Sequence, residues 1–141
     1  MKILLTVLAL LIPAFLHAQT YTDILGQAKK ENKAVLLDFS GSDWCMPCKM
    51  LKRDYLDKDE FQAFAKDKII LFTVDFPKGF ELPAEVAAQN RRLQQQFGVN
   101  GFPTLILITP DKDVLIRTTG APNGGMPAFL QWLSRGLLKK E

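Results

Sequence analysis

Apolar positions along the chain switch between helical and strand spacing, and the switches predict a regular alternation of elements. Ile24, Leu25 and Ala28 make a stripe of helical period within Thr20–Glu31, with Thr20 and Asp23 at capping-box spacing and Asn32 as a stop. Ala34–Phe39 is apolar except for Asp38, the pattern of a central parallel strand buried on both faces. Lys49–Leu56 is amphipathic and predicts a helix. Asp57–Lys66 continues the helical layer, with Asp57 or Asp59 as cap and Phe61, Phe64 and Ala65 facing inward. Lys68–Asp75 predicts a second buried strand, parallel to the first because a helical crossover joins them. Pro77, Gly79 and Pro83 mark a loop. Ala84–Phe97 then reads as a helix stopped by Gly98, with Val86, Leu93 and Phe97 on one side and Asn90, Arg91, Arg92 and the glutamines at 94–96 as its solvated face. Thr104–Thr109 predicts a strand antiparallel to the first, and Val114–Thr119 returns as the edge strand of a hairpin. Pro127 opens a last helix that buries Phe129, Leu130, Leu133 and Leu137.

The first residues break this alternation. Lys2 is followed by an almost wholly apolar run, Ile3–Leu16, and then by Ala18, a small residue before a cut. That is the grammar of a secretory signal, and the run is shorter than the ~20 residues a spanning helix needs. An uncleaved membrane anchor is the alternative. The expected organisation is a signal peptide over 1–18 and one domain over 19–141, working in the periplasm or secreted. A length of 141 residues with 48% hydrophobic content suits a single cored domain. A net charge of +3 without a long basic run implies no nucleic-acid partner.

The candidate chemistry lies between the first strand and the amphipathic run. Cys45 and Cys48, the two cysteines of the chain, form a C-x-x-C pair where a helix begins. Unpaired N–H groups at a helix start favour an anion, which pushes the first thiol toward thiolate. The second thiol is about one turn away and can resolve a mixed disulfide formed by the first. Other readings of a bare C-x-x-C are a metal site and a static disulfide. A structural zinc site needs about four ligands. Here two Cys and one histidine, His17 in the segment read as removed, are available, so no metal and no cofactor are expected. A static staple usually closes a longer loop. Asp38 near a strand end is costly to bury unless it is used or solvated. One reading of it is a loop-edge residue bonded to backbone. Phe102–Pro103 opens the third strand, and proline alone commonly accepts a cis bond there; an ordinary trans proline is the other reading. Phe76 and Phe80 read either as core or as a rim to this region.

Trp44-Cys45-Met46-Pro47-Cys48-Lys49 resembles the thioredoxin active site, W-C-x-P-C-K. Asp38-Phe39, Phe102-Pro103-Thr104 and Gly120 resemble further family elements in the same order, over about Asp23 to Leu138. The resemblance implies an α/β fold, a three-layer α/β/α sandwich on a mixed sheet of about four strands. Little sequence precedes the first helix, so the usual first strand is short or missing. It also implies a thiol–disulfide oxidoreductase. Cys45 would be the exposed nucleophile, Cys48 the resolving thiol, Asp38 a proton acceptor and Pro103 a cis-proline against the pair. Trp44, Met46, Pro47 and Phe102 would form the substrate groove. Two departures stand out. The Ser40-Gly41-Ser42 loop is one residue longer than usual, and the basic residue expected on the neighbouring strand is replaced by Leu71. Lys49 adds positive charge near the pair and Asp43 opposes it. Strongly oxidising members and isomerases often place a histidine between the cysteines, whereas a proline just before the second cysteine resembles the reducing members. Met46-Pro47 has no histidine, which implies a reductant or isomerase with a potential nearer ~−270 mV than ~−120 mV. Partners would be protein substrates with cysteines or disulfides and a separate thiol electron donor, in the membrane or outside it. The chain is read as a monomer. A non-catalytic binding module for extended protein segments is the second functional class.

Overall fold

The computed structural model describes residues 19–140, so the expected signal segment 1–18 lies outside the described residues. Helix α1 (Tyr21–Glu31) starts at Thr20, whose side chain accepts from the Asp23 N–H while the Asp23 carboxylate accepts from the Thr20 N–H. It ends at Asn32 in the left-handed conformation, which lets the cap N–H bond back to the last turn. β1 (Ala34–Ser40) follows, then α2 (Met46–Leu51), a π-helical turn (Lys52–Leu56), α3 (Asp59–Ala65), β2 (Ile69–Asp75), α4 (Ala84–Gln96), β3 (Thr104–Ile108), β4 (Val114–Thr119) and α5 (Gly125–Leu137). Among the described residues no strand precedes α1.

The sheet order is β2-β1-β3-β4, with β1–β2 parallel and β1–β3 and β3–β4 antiparallel. Side chains of a strand alternate between faces, and here both faces are covered. Val35, Leu37 and Phe39 join α1 and α4 residues in one apolar layer, with Tyr21, Ile24, Leu93 and Phe97. Ala34 and Leu36 join α2, α3 and α5 in the other, with Leu51, Phe61, Phe129 and Leu133. Asp38 has the parity of Leu36 and therefore faces the layer that contains α2.

Four details depart from the sequence reading. Lys58, not Asp57 or Asp59, occupies the cap position of α3 and makes no side-chain cap bond; Asp59 lies inside the first turn, where a carboxylate still meets the helix dipole favourably. The amphipathic run 49–56 is not one uniform helix, because it widens into a π turn at Lys52. Asn90 is buried rather than solvated, and its Nδ2 donates to the Asp75 carbonyl at 2.9 Å. Trp132, absent from the expected face of α5, is buried and stacks on Phe129.

Candidate active site

β1 ends at Ser40, and a short loop turns the chain into α2. Cys45 is the N-cap residue of α2, with extended backbone angles, and Pro47 sits in the first turn, where its missing N–H costs nothing. The Cys48 N–H points at Cys45 Sγ, 3.3 Å away. The two sulfurs are joined as a disulfide, with Cα atoms 5.3 Å apart. The same amide also meets the Cys45 carbonyl at 3.1 Å, so the donor is shared, and its share toward Sγ would favour negative charge on that sulfur after reduction.

The expectation of an exposed Cys45 is corrected for this oxidised state. Cys45 is 5% and Cys48 3% exposed. The disulfide turns both sulfurs toward one another and into the fold. The residues that reach solvent are its neighbours Trp44, Met46 and Pro47.

Two anchors hold the longer approach loop. Ser42 donates from both its backbone N–H and its hydroxyl to the Asp75 carboxylate, at 2.9 and 2.6 Å. The Asp43 carboxylate accepts from the Lys78 and Gly79 amides across the β2–α4 loop. Partial desolvation works to raise the Asp43 pKa, but these amide hydrogen bonds, the residue's own amide and Lys49 together hold it below the usual carboxylate range. A Cβ at Gly79 would lie 2.8 Å from Asp43 Oδ2, so a larger residue there would have to displace the carboxylate. Asp43 is therefore engaged by backbone rather than simply opposing Lys49. Lys49 Nζ in turn donates to the Asp43 carbonyl at 2.8 Å, which fixes its charge beside the loop.

Trp44 lies flat over Gly41, where a Cβ would come within 2.5 Å of the indole. Its Nε1 donates to the Phe76 carbonyl at 2.7 Å, and Lys78 Nζ sits 3.9 Å above the ring. The indole meets Phe102 edge-on at 6.0 Å, and Phe102 stacks on Phe76 at 5.1 Å. The Phe102–Pro103 bond is cis, as expected, and Pro103 is buried. Phe76 thus resolves as both rim and partial core. Phe80 is 53% exposed and lines, with Phe76 and Leu82, a cavity of about 480 Å³ beside the aromatic row.

Behind the disulfide lies Asp38, buried, with Oδ1 lacking any hydrogen-bond partner. Burial, reinforced by the Asp75 carboxylate, pushes its pKa up from 3.8 to about 7, while Lys52 pulls it down. Asp38, Cys48, Lys52 and Leu71 line one pocket of about 160 Å³. Asp38 therefore carries neither the backbone bonding of a loop-edge residue nor a strand-borne basic partner; it shares its pocket with Cys48. Sequence reasoning missed Ser42, Asp75, Lys78, Asn90 and Lys52 as parts of the site. The traceable signals are polar residues at the end of β2 and a charged residue at the widened turn.

No group of three or more His, Cys, Asp or Glu residues among those described could hold a metal ion. What the arrangement can do is exchange one disulfide for another: a sulfur pair at a helix start, a buried carboxyl sharing a pocket with Cys48, and an aromatic row that ends at a cis-proline.

The comparisons agree with that geometry. The family model of the thioredoxin-like domain matches residues 21–136. The chain is 36% identical over 112 residues to the disulfide bond reductase DsbH of Chlamydia pneumoniae, covering 79% of this chain and 68% of that protein. It is 28% identical over 97 residues to the thioredoxin-related protein DsbJ of the same organism, where it spans only 28% of the relative's length. A solved structure of DsbH oxidoreductase superimposes with a TM-score of 0.79 at 32% identity, covering 86% of this chain and 84% of that one. Sheet order, disulfide, cis-proline and family match converge, and the chain belongs to the thioredoxin-like domain family.

Proposed function

We propose that this protein is a thiol–disulfide oxidoreductase acting outside the cytoplasm, and that it reduces or isomerises protein disulfides. The observation that carries the proposal is the Cys45–Cys48 disulfide at the start of α2 with the buried Asp38 carboxyl behind it. In the reducing direction the dithiol form acts. Cys45 thiolate attacks a client disulfide, forming a Cys45–client bond and releasing one client thiolate. Cys48, giving its proton to Asp38, attacks Cys45 Sγ. The Cys45–Cys48 bond forms, the Cys45–client bond breaks, and the client holds both electrons as thiols. A separate thiol donor then restores the dithiol.

The exposed Trp44, Met46 and Pro47 and the Phe102–Pro103 backbone suit an extended client segment laid beside the cysteines, in the manner of strand addition. The reducing or isomerising direction rests on the absence of histidine between the cysteines, and the name of DsbH, a bond reductase, agrees with it. The signal-like segment 1–18 supports export to the periplasm or beyond.

Trapping tests the proposal. Cys48→Ala keeps the nucleophile and removes the resolving thiol, so full-length Cys48→Ala expressed with residues 1–18 should accumulate mixed disulfides that vanish on reduction. Cys45→Ala should accumulate far fewer. Absence of adducts in Cys48→Ala, while wild type still binds clients, would replace exchange with the binding-module reading.

A further inference from the structure

Asp38 is a buried acid in search of a counter-charge, and β2 does not provide one. The residue opposite it in register is Thr73, and Leu71 lines the same pocket. Paired on the other side is Leu105 of β3, also apolar. The charged groups that face Asp38 are Asp75 at the end of β2, which works against its ionisation, and Lys52, which favours it. Lys49 of α2 and Asp57 also line the pocket.

Lys52 stands where α2 gives way to the π turn. The Asp57 N–H closes that turn on the Lys52 carbonyl, at 2.8 Å. One-turn π segments inside helices recur at functional sites. Here the pocket joins Lys52, Asp38 and Cys48, and the Lys52 side chain is 65% exposed, so the pocket reaches solvent. Outside, the Lys52 ammonium donates to Asp57 Oδ1.

We propose that Lys52 is a positioning residue for the resolving step: from the π turn it supplies the positive charge that holds Asp38 as an acceptor for the Cys48 proton, and Asp57 moderates that charge from outside. The inference rests on the exchange chemistry proposed above. The step transfers the Cys48 thiol proton to the Asp38 carboxylate, forms the Cys45–Cys48 bond and breaks the Cys45–client bond. The proton then leaves through the solvent-reaching pocket. Lys52 touches no reacting atom.

A preformed mixed disulfide between Cys45 and thionitrobenzoate isolates the step, because attack by Cys48 releases the coloured thiolate. The release rate is measured against pH in the full chain for wild type, Lys52→Met, Lys52→Arg and Asp57→Asn. Lys52→Met should slow release about three- to tenfold near neutral pH and move the profile midpoint upward, the scale expected for one lost charge across a pocket. Lys52→Arg should restore both, and Asp57→Asn should move the midpoint the other way. A wild-type adduct that resolves with the same pH profile as Lys52→Met overturns the role of Lys52 alone. So does failure of Lys52→Arg to restore it. A wild-type adduct that never resolves sinks the exchange chemistry and the role of Lys52 with it.

Discussion

Replacing Asp38 by Asn should turn a pH-dependent stability into a nearly flat one. The carboxyl is 5% exposed, one of its oxygens has no partner, and burial raises its pKa from 3.8 to about 7. Near pH 3 and below, the group is protonated in the folded and unfolded chains alike and contributes nothing. Between 3.8 and about 7 the unfolded chain releases the proton while the folded chain keeps it. The unfolded state then binds fewer protons, so stability falls as pH rises through that window and levels off above it. The loss is on the order of 4 kcal/mol, at about 1.4 kcal/mol per pH unit. Asn lacks this titration but buries an amide without a partner, at a cost of about 1–3 kcal/mol that does not depend on pH. The mutant should therefore be less stable than wild type at about pH 4 and more stable at about pH 8, the difference between the two comparisons approaching 4 kcal/mol. Urea unfolding of both disulfide-bonded proteins across that range measures it. Parallel stability curves for wild type and Asp38→Asn would refute the reasoning, because they would mean that the folded carboxyl ionises as freely as the unfolded one.

Two further substitutions probe the frame around the site. Asp43→Ala removes the acceptor of the Lys78 and Gly79 amides, so exchange of those two amides should quicken while β3 amides are unchanged; equal protection in both proteins would remove Asp43 as an anchor. Gly136→Ala would set a Cβ 2.6 Å from Ile116 Cγ2 and 2.8 Å from Leu107 Cδ2, and this overpacking should exceed the roughly 1 kcal/mol that alanine brings to a helix interior. A lower denaturant midpoint is expected, and a higher one would show that α5 can lift off the sheet without cost.

Much of the frame was legible because local chemistry and tertiary packing agree. Thr20 and Asp23 cap α1 by contacts three residues apart, and the apolar run of β1 is a direct consequence of burial on both faces. The cysteine pair and the Phe102–Pro103 bond could be read from a few adjacent residues. What escaped was long-range. Asn90 sits among polar neighbours on α4 and shows no local sign that the Asp75 carbonyl, fifteen residues back, needs its donor. Lys52 looks like any solvated helical lysine until the π turn and the pocket bring it to Asp38. The spacing of Leu51 and Leu56, both buried, is the one sequence trace of that widened turn. Cys45 was expected at the surface because a nucleophile must be reached, whereas the oxidised pair is folded inward.

The hydrogen bonds from Ser42 to Asp75, from Asn90 to the Asp75 carbonyl and from the Lys78 and Gly79 amides to Asp43 bear on how this site can be transplanted. A graft of residues 40–48 onto a related scaffold carries the sulfurs and the indole but leaves their moorings behind. The portable cassette is discontinuous: the run from Asp38 to Lys52, the stretch from Asp75 to Phe80, and the single Asn90. Recombination between relatives that cuts inside any one of these pieces, or that inherits them from different parents, would preserve the W-C-x-P-C-K signature and still misplace the loop that presents it.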